Sequence, residues 1–235
     1  MAGQGAEATK VWQDRSFAEA WVRSDGAADL LELPRRMAAA IVAAERPDTA
    51  VIVDVASGPG GFLAAFLDEL PAARGVWIDA SPAMLDEARR RLAPYGERVD
   101  FLPGDMTDMA GIGLSGSVDV VVTSRAAHHL DRDELAAFYR TAAALVAPGG
   151  WLVNLDHIGP TDVWDRRLRA VRPRFVPKVG EGPTHHHNYP LTSVADHLDG
   201  YHGAGIDDVE LVWRAFYTCL FMGRVPESPA RDPQR

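Results

Sequence analysis

The stretch Val51-Ile-Val-Asp-Val-Ala-Ser-Gly-Pro-Gly-Gly61 constrains this chain more than any other. A run of β-branched apolar residues reads as a buried strand; it carries a carboxylate, Asp54, at its end and then breaks into small residues and glycines. Glycines after a strand let the backbone approach a ligand closely, and a following helix turns its N-terminus toward the same place. The stretch therefore reads as a binding loop at the carboxyl end of a parallel strand, where α/β sheets hold their ligands.

Similar short, β-rich, apolar runs recur at Val51–Val55, Gly75–Asp79, Val99–Leu102, Val118–Thr123 and Trp151–Asp156. Helical stretches at Phe62–Leu70, Pro82–Leu92 and Arg132–Leu145 alternate with them, the second opened by Ser81-Pro82 and the third by Asp131. Strand–helix alternation of this kind predicts an α/β fold, a doubly wound, mostly parallel sheet with right-handed crossovers. Two regions fall outside it. Val11–Arg46 predicts one or two amphipathic helices carrying Trp12, Phe17 and Trp21. Residues 157–205 read as an insertion, with a helix near Asp162–Val171, a loop containing His185-His186-His187, and a short helix near Ser193–Tyr201. Val209–Trp213 and Phe216–Phe221 then read as a closing hairpin, which brings the sheet to seven strands. The expected organisation is one domain over 9–226: an N-terminal helical lid (9–48), a core (49–156), a cap (157–205) and the hairpin (206–222). A flexible tail, 227–235, follows.

Charge and composition narrow the partners. The net charge is −9 and no lysine- or arginine-rich run stands out, which argues against nucleic acid. A single cysteine, Cys219, excludes an internal disulfide framework and fits a reducing compartment. The first residues, MAGQGAEATK, lack a basic region followed by an apolar one, so no secretory signal is expected. No apolar run approaches the roughly 18 residues of a membrane span. A cytoplasmic protein acting as a monomer or homodimer, away from membranes, is expected.

The glycine spacing decides which ligand the loop suits. A dinucleotide fold wants G-x-G-x-x-G, and counting from Gly58 puts Gly60 in place but Leu63 at the third position. The nucleoside-triphosphate loop needs a lysine that is absent here. What remains is acid-x-small-x-Gly-x-Gly, at Asp54, Ala56, Gly58 and Gly60. Further on, V-W-I-D-A-S ends the second strand in Asp79, L-P-G-D-M follows the third strand, and V-D-V-V-V-T-S-R-A-A-H-H-L and L-V-A-P-G-G-W-L-V follow in order.

These five motifs, in this order over about two-thirds of the chain, resemble the class I S-adenosylmethionine-dependent methyltransferases of small molecules. The resemblance implies a Rossmann-like methyltransferase fold and S-adenosyl-L-methionine as cofactor, leaving S-adenosyl-L-homocysteine as product. It implies that Asp79 accepts both ribose hydroxyls, that Asp105 accepts from the adenine amino group, and that Met106 offers a backbone amide. Asp54, Ala56, Ser57, Gly58, Gly60, Ala80, Met84, Gly104, Ser124 and Arg125 complete the implied cofactor set. Ala56 departs from the pattern, since many members have glycine there and a methyl group restricts the backbone. The cofactor has a sulfonium, an ammonium and a carboxylate but no phosphate, which suits a loop backed by an acid and lacking lysine.

Methyl transfer is an in-line displacement, and a phenol, alcohol or amine acceptor benefits from a base near neutral pH. Histidine suits that role. His157, beside Asp156 at the end of the fifth strand, is the preferred catalytic candidate, with His129 second. His128, Asp156, His186, His187 and Tyr189 are candidates for acceptor contact. His128-His129 can equally orient a loop or cap a helix, and His157 can equally be a surface histidine. The catechol-type enzymes use magnesium held by strand-end acids; Ser124 and Arg125 stand in that place, and no metal is assigned. Arg125, Arg35 and Arg36 are further pocket candidates, favouring an acceptor carboxylate where they face the crevice. The leading expectation is methylation of a small molecule, at oxygen, in secondary metabolism. Nitrogen or carbon methylation, a peptide or protein acceptor, and a cyclase or isomerase that retains the cofactor stay open.

Overall fold

The computed structural model of the protein describes residues 11–24, 28–109, 114, 118–176 and 190–227. Among the described residues, the helices α1 (Arg15–Ser24) and α2 (Ala28–Glu45) precede the first strand. The core follows as β1 (Val51–Val55), α3 (Gly61–Glu69), β2 (Arg74–Asp79), α4 (Pro82–Leu92), β3 (Val99–Pro103), β4 (Val118–Ser124), α5 (Arg132–Leu145) and β5 (Val146–His157). Then come α6 (Asp162–Val171), α7 (Val194–Gly203), β6 (Asp208–Ala215) and β7 (Thr218–Arg224). Expected and observed elements agree in type and order. Ser81 caps α4 by accepting from the Met84 amide, and Asp131 forms a reciprocal capping box with Glu134 on α5.

All seven strands form one sheet in the order β3-β2-β1-β4-β5-β7-β6. β1 pairs in parallel with β2 and β4, and among the described strands β7 alone is reversed, antiparallel to both of its neighbours, β5 and β6. Both faces are covered, because alternate residues of each strand enter different cores. Ile52, Trp77, Val120 and Val122 pack with Phe66, Leu63 and Leu31 under the N-terminal helices and α3. Val53, Val55, Ile78 and Val121 pack with Phe138, Tyr139 and Tyr201 under α5 and α7. The order in which strands are added reverses between the parallel neighbours β1 and β4, and that switch opens a crevice at their carboxyl ends. Among the described residues no helix is long and apolar enough to cross a membrane.

Within the stretch expected to form a cap, 157–205, the helix α7 is placed differently. It lies in the layer beside α5 and not over the crevice. A buried polar cluster fixes it there: His197 Nδ1 lies 2.7 Å from Tyr139 Oη, Asn154 Nδ2 donates to Tyr139 Oη at 2.9 Å, and Thr192 Oγ1 lies 3.0 Å from His197 Nε2. Burial lowers His197 to about 4, so the ring is neutral near pH 7 and free to serve as acceptor on one nitrogen. Gly200 allows the close approach, since a Cβ there would collide with the Tyr139 ring. His185, His186, His187, Asn188 and Tyr189, and the tail from 228, lie outside the described residues. Gly200→Ala is expected to destabilise the protein by about 1–3 kcal/mol, the overpacking outweighing the better helix propensity. Urea denaturation measures this, and an unchanged midpoint would show that α7 is not held against Tyr139.

Candidate active site

Two carboxylates shape the glycine loop. Asp54 Oδ2 accepts from Ser57 Oγ at 2.6 Å and from the Leu63 amide at 3.1 Å, joining the loop to the first turn of α3. Asp79, at the end of β2, accepts the Gly58 amide on Oδ2 and the Ser81 amide on Oδ1, each at 2.8 Å. Trp77 Nε1 donates to the Gly58 carbonyl at 2.9 Å, a third tie between loop and β2. The loop passes through left-handed backbone at Ala56 (φ 52°), Gly58 (φ 55°) and Gly60 (φ 80°). A non-glycine residue there carries roughly 1–2 kcal/mol of strain, which Ala56 accepts at the lip of the crevice.

The crevice is a cavity of about 420 Å³, within the roughly 300–1,000 Å³ of small-molecule sites. Of the residues assigned to the cofactor from sequence, Ala56, Ser57, Gly58, Asp79, Ala80, Met84, Gly104, Asp105, Met106, Ser124 and Arg125 line it. Asp54 and Gly60 do not. Asp54 is fully buried behind the wall, and a Cβ on Gly60 would stand 2.8 Å from Leu92 Cδ1, so that glycine faces α4. Burial raises Asp54 to about 7, against the opposing pull of its hydrogen bonds and of Arg35. Burial likewise raises Asp79 to about 6. Asp105 Oδ1 is held by the Thr107 amide at 2.9 Å and its hydroxyl at 2.8 Å.

The histidines are arranged differently from the sequence expectation. Asp156 pairs chiefly with His128, whose Nδ1 lies 2.6 Å from Oδ1 and whose amide donates to Oδ2 at 2.8 Å. The His157 amide also donates to Asp156, at 2.7 Å, but its ring Nδ1 lies 3.4 Å from Thr218 Oγ1 and His157 is not among the lining residues. His128 and His129 do line the cavity, on a short turn after β4, with ring centroids 4.1 Å apart. Asp156 is fully buried and its carboxyl is raised by that burial, with the neighbouring histidines opposing. Among the described residues no group of three or more His, Cys, Asp or Glu is arranged to hold a metal ion.

Sequence reasoning missed several contributors. Trp12 and Glu32 line the cavity from the N-terminal segment, and the Trp12 carbonyl accepts from Ser81 Oγ at 2.5 Å. Trp77 ties the loop from the neighbouring strand. A tryptophan two residues before the strand-end acid, and so on the same face, was the available signal; Trp12 had none beyond its position in an amphipathic helix.

The methyltransferase-domain family matches residues 52–150, which span the first strand through the start of the fifth and include most of the crevice's lining. Over those residues the chain matches a methyltransferase domain, and its fold is that of an O-methyltransferase family protein. Curated proteins similar to the chain include the mitomycin biosynthesis 6-O-methyltransferase of Streptomyces lavendulae, 29% identical over 159 residues, covering 65% of this chain and 43% of that protein. The 3-amino-4-hydroxybenzoate 4-O-methyltransferase of Streptomyces cremeus is 33% identical over 109 residues, covering 46% of this chain and 29% of that protein. The chain thus spans less than half the length of either relative. An O-methyltransferase family protein from Burkholderia thailandensis shares the fold, with a TM-score of 0.67 at 23% identity, covering 92% of this chain and 60% of that one.

The crevice of this methyltransferase domain fits the family's cofactor. A Cβ on Gly58 would meet only Met84 Sδ, at 4.0 Å, so the loop backbone is open to a ligand. Each Asp79 oxygen accepts one amide and keeps a lone pair for a hydroxyl. A carboxylate accepts two ribose hydroxyls only when ionised, so its raised pKa has a consequence. Affinity for S-adenosylhomocysteine is expected to be full above about pH 7 and to fall about tenfold by about pH 5, as Asp79 takes up its proton. Calorimetry across that range measures it. Asp79→Asn should bind at least about tenfold more weakly at pH 7.5 and lose this slope. A wild-type affinity that is flat with pH would remove Asp79 from the ribose contact.

Proposed function

We propose that the protein methylates a hydroxyl group of a small molecule, using S-adenosylmethionine. The observation that carries this reading is a histidine–carboxylate pair, His128 with Asp156, beside the cavity that the glycine loop and strand-end acids define. Bound there, the cofactor supplies a methyl group made electrophilic by its sulfonium. Asp79 takes the ribose hydroxyls, and Asp105 with the Met106 amide takes the adenine edge. The protein's own chemical task is then the acceptor proton. With Nδ1–H directed at Asp156, the His128 lone pair sits on Nε2, and that atom accepts the proton of an acceptor hydroxyl. Asp156 orients the ring and stabilises the imidazolium that forms. His129 stacks against this ring and shapes the wall. The role expected of His157 passes to His128. The two O-methyltransferase relatives support oxygen as the acceptor atom.

The test uses methyl-labelled cofactor with a panel of hydroxylated aromatic compounds. It includes 3-amino-4-hydroxybenzoate, whose ring offers a hydroxyl and an amine side by side. Methyl on oxygen, with one S-adenosylhomocysteine released per product, is expected. Methyl on nitrogen, or turnover only with peptides, would overturn the reading. Product without demethylated cofactor would point to a cyclase or isomerase. On the acceptor so identified, His128→Gln is expected to lower kcat by about 10²–10⁴ while leaving S-adenosylhomocysteine affinity within about twofold. His157→Gln is expected to keep kcat within about threefold.

A further inference from the structure

The helix α6 takes no part in lining the crevice, and none of its residues is buried. Trp164, Leu168, Val171 and Phe175 nevertheless recur at steps of four, three and four, the spacing of one helical face. Leu168 is half-buried, but Trp164 is 54% exposed and Phe175, just past the helix, 70%. Val163 and Val171 are exposed beside them, so most of the large apolar side chains left exposed among the described residues lie on this one ridge. Interleaved with them are Arg166, Arg167, Arg169, Arg172 and Arg174, against two acids, Asp162 and Asp165. In a chain of net charge −9 so short a run is inconspicuous, but the fold sets it on one exposed element.

α6 follows β5 at the carboxyl end of the sheet, the end at which the crevice opens. The β6–β7 turn stands at the same end, because Thr218 pairs with His157. It braces the ridge: Tyr217 Oη donates to Asp165 Oδ1 at 3.0 Å, and the Phe216 and Phe175 rings stand 5.9 Å apart. Arg169 Nε also donates to Asp165, at 2.7 Å, so this acid is matched within the helix. The Arg167 guanidinium lies over the Trp164 ring, 4.9 Å from its centroid. An apolar stripe with an indole at its edge and guanidinium groups on its flanks suits a helix lying at the boundary of lipid headgroups and acyl chains. Lying there needs no spanning helix. A folded acidic partner would have to set a carboxylate opposite each guanidinium while desolvating the pair. Lipid phosphates are mobile and take up the positions that the arginines dictate. We propose that α6 and the turn Arg172–Arg174 bind the headgroups of anionic phospholipids, holding the crevice end of the sheet against a membrane surface.

Sedimentation with vesicles tests this. Vesicles of phosphatidylglycerol and phosphatidylcholine in equal parts are compared with phosphatidylcholine alone, at about 0.1 M salt. The wild type is expected to bind the anionic vesicles at least about tenfold more tightly. Arg166→Gln with Arg174→Gln is expected to lose about tenfold or more of that affinity, and Trp164→Ala with Phe175→Ala at least about fivefold. All four side chains are exposed, so both variants are expected to keep the wild-type urea midpoint. Equal binding to the two kinds of vesicle, or none, would overturn the proposal. So would binding that neither variant weakens, which puts the contact elsewhere on the surface. Loss in the arginine variant alone would mark a site for a polyanion such as an acidic protein segment, and loss in the aromatic variant alone an apolar protein contact; each overturns the assignment to a bilayer.

Discussion

The hydrogen bond from the Gly58 amide to Asp79 decides the shape of the crevice. It fixes the glycine loop from β1 onto the end of β2, with the Trp77 indole holding the loop carbonyl from the same strand. Asp54 does the corresponding work on the other side, holding the loop to α3. Both carboxylates are poor places for charge, since burial raises each of them. A loop with left-handed residues at 56, 58 and 60 would sample many shapes unaided, and these ties confine it before a ligand arrives. For Asp54 the raised value means that its ionised form is penalised on folding, fully so only above about pH 7. Arg35, reaching in from α2, opposes that penalty and eases the burial of the acid behind the loop.

Charge along the crevice follows the same logic. Asp79 and Asp105 sit at the ends of β2 and β3, and Arg35 and Arg125 at the β1–β4 switch. With no lysine in the loop and two acids beside it, a pyrophosphate would meet repulsion. A nucleoside with a positive sulfur and a distal carboxylate meets acceptors first and donors last. Arg125 adds to the cationic end and, like Ala56, sits in left-handed backbone (φ 56°), its amide donating to the Leu155 carbonyl at 2.9 Å. Strained residues thus directly follow both strands that flank the switch, and both line the cavity.

Much of this was legible in the sequence because local patterns carried it. The β-branched runs, Ser81-Pro82, Asp131 and the glycine spacing each specify a local structure whatever surrounds them, and the helices α4 and α5 begin and end at the expected residues. The stretch 157–205 was read less well. Its α7 looked like part of a cap because the helix is short and follows an irregular segment. Its place in the core depends on Gly200 meeting Tyr139 and on His197 meeting Asn154, partners some forty to sixty residues away that no local pattern connects. The cationic end of the crevice was equally hidden. Arg35 and Arg36 are indistinguishable as neighbours on a helix until the helix has a docking face.

The histidines show the same limit most sharply. Asp156 and His157 are adjacent in sequence, which made them look like one functional pair. Adjacent residues on a strand project to opposite sides, and both still lie in register on β5, opposite Cys219 and Thr218. Adjacency alone therefore does not pair their side chains with each other. Asp156 turns into the interior and meets the turn after β4, where His128 presents both its amide and its ring. The His157 ring lies by Thr218, behind the His128 ring with centroids 5.3 Å apart and outside the cavity lining. A carboxylate on one strand and a histidine on the loop of its neighbour is an arrangement that only the pairing of β4 with β5 creates. The base of this site is thus a property of the sheet's strand order, in the same way that the crevice is.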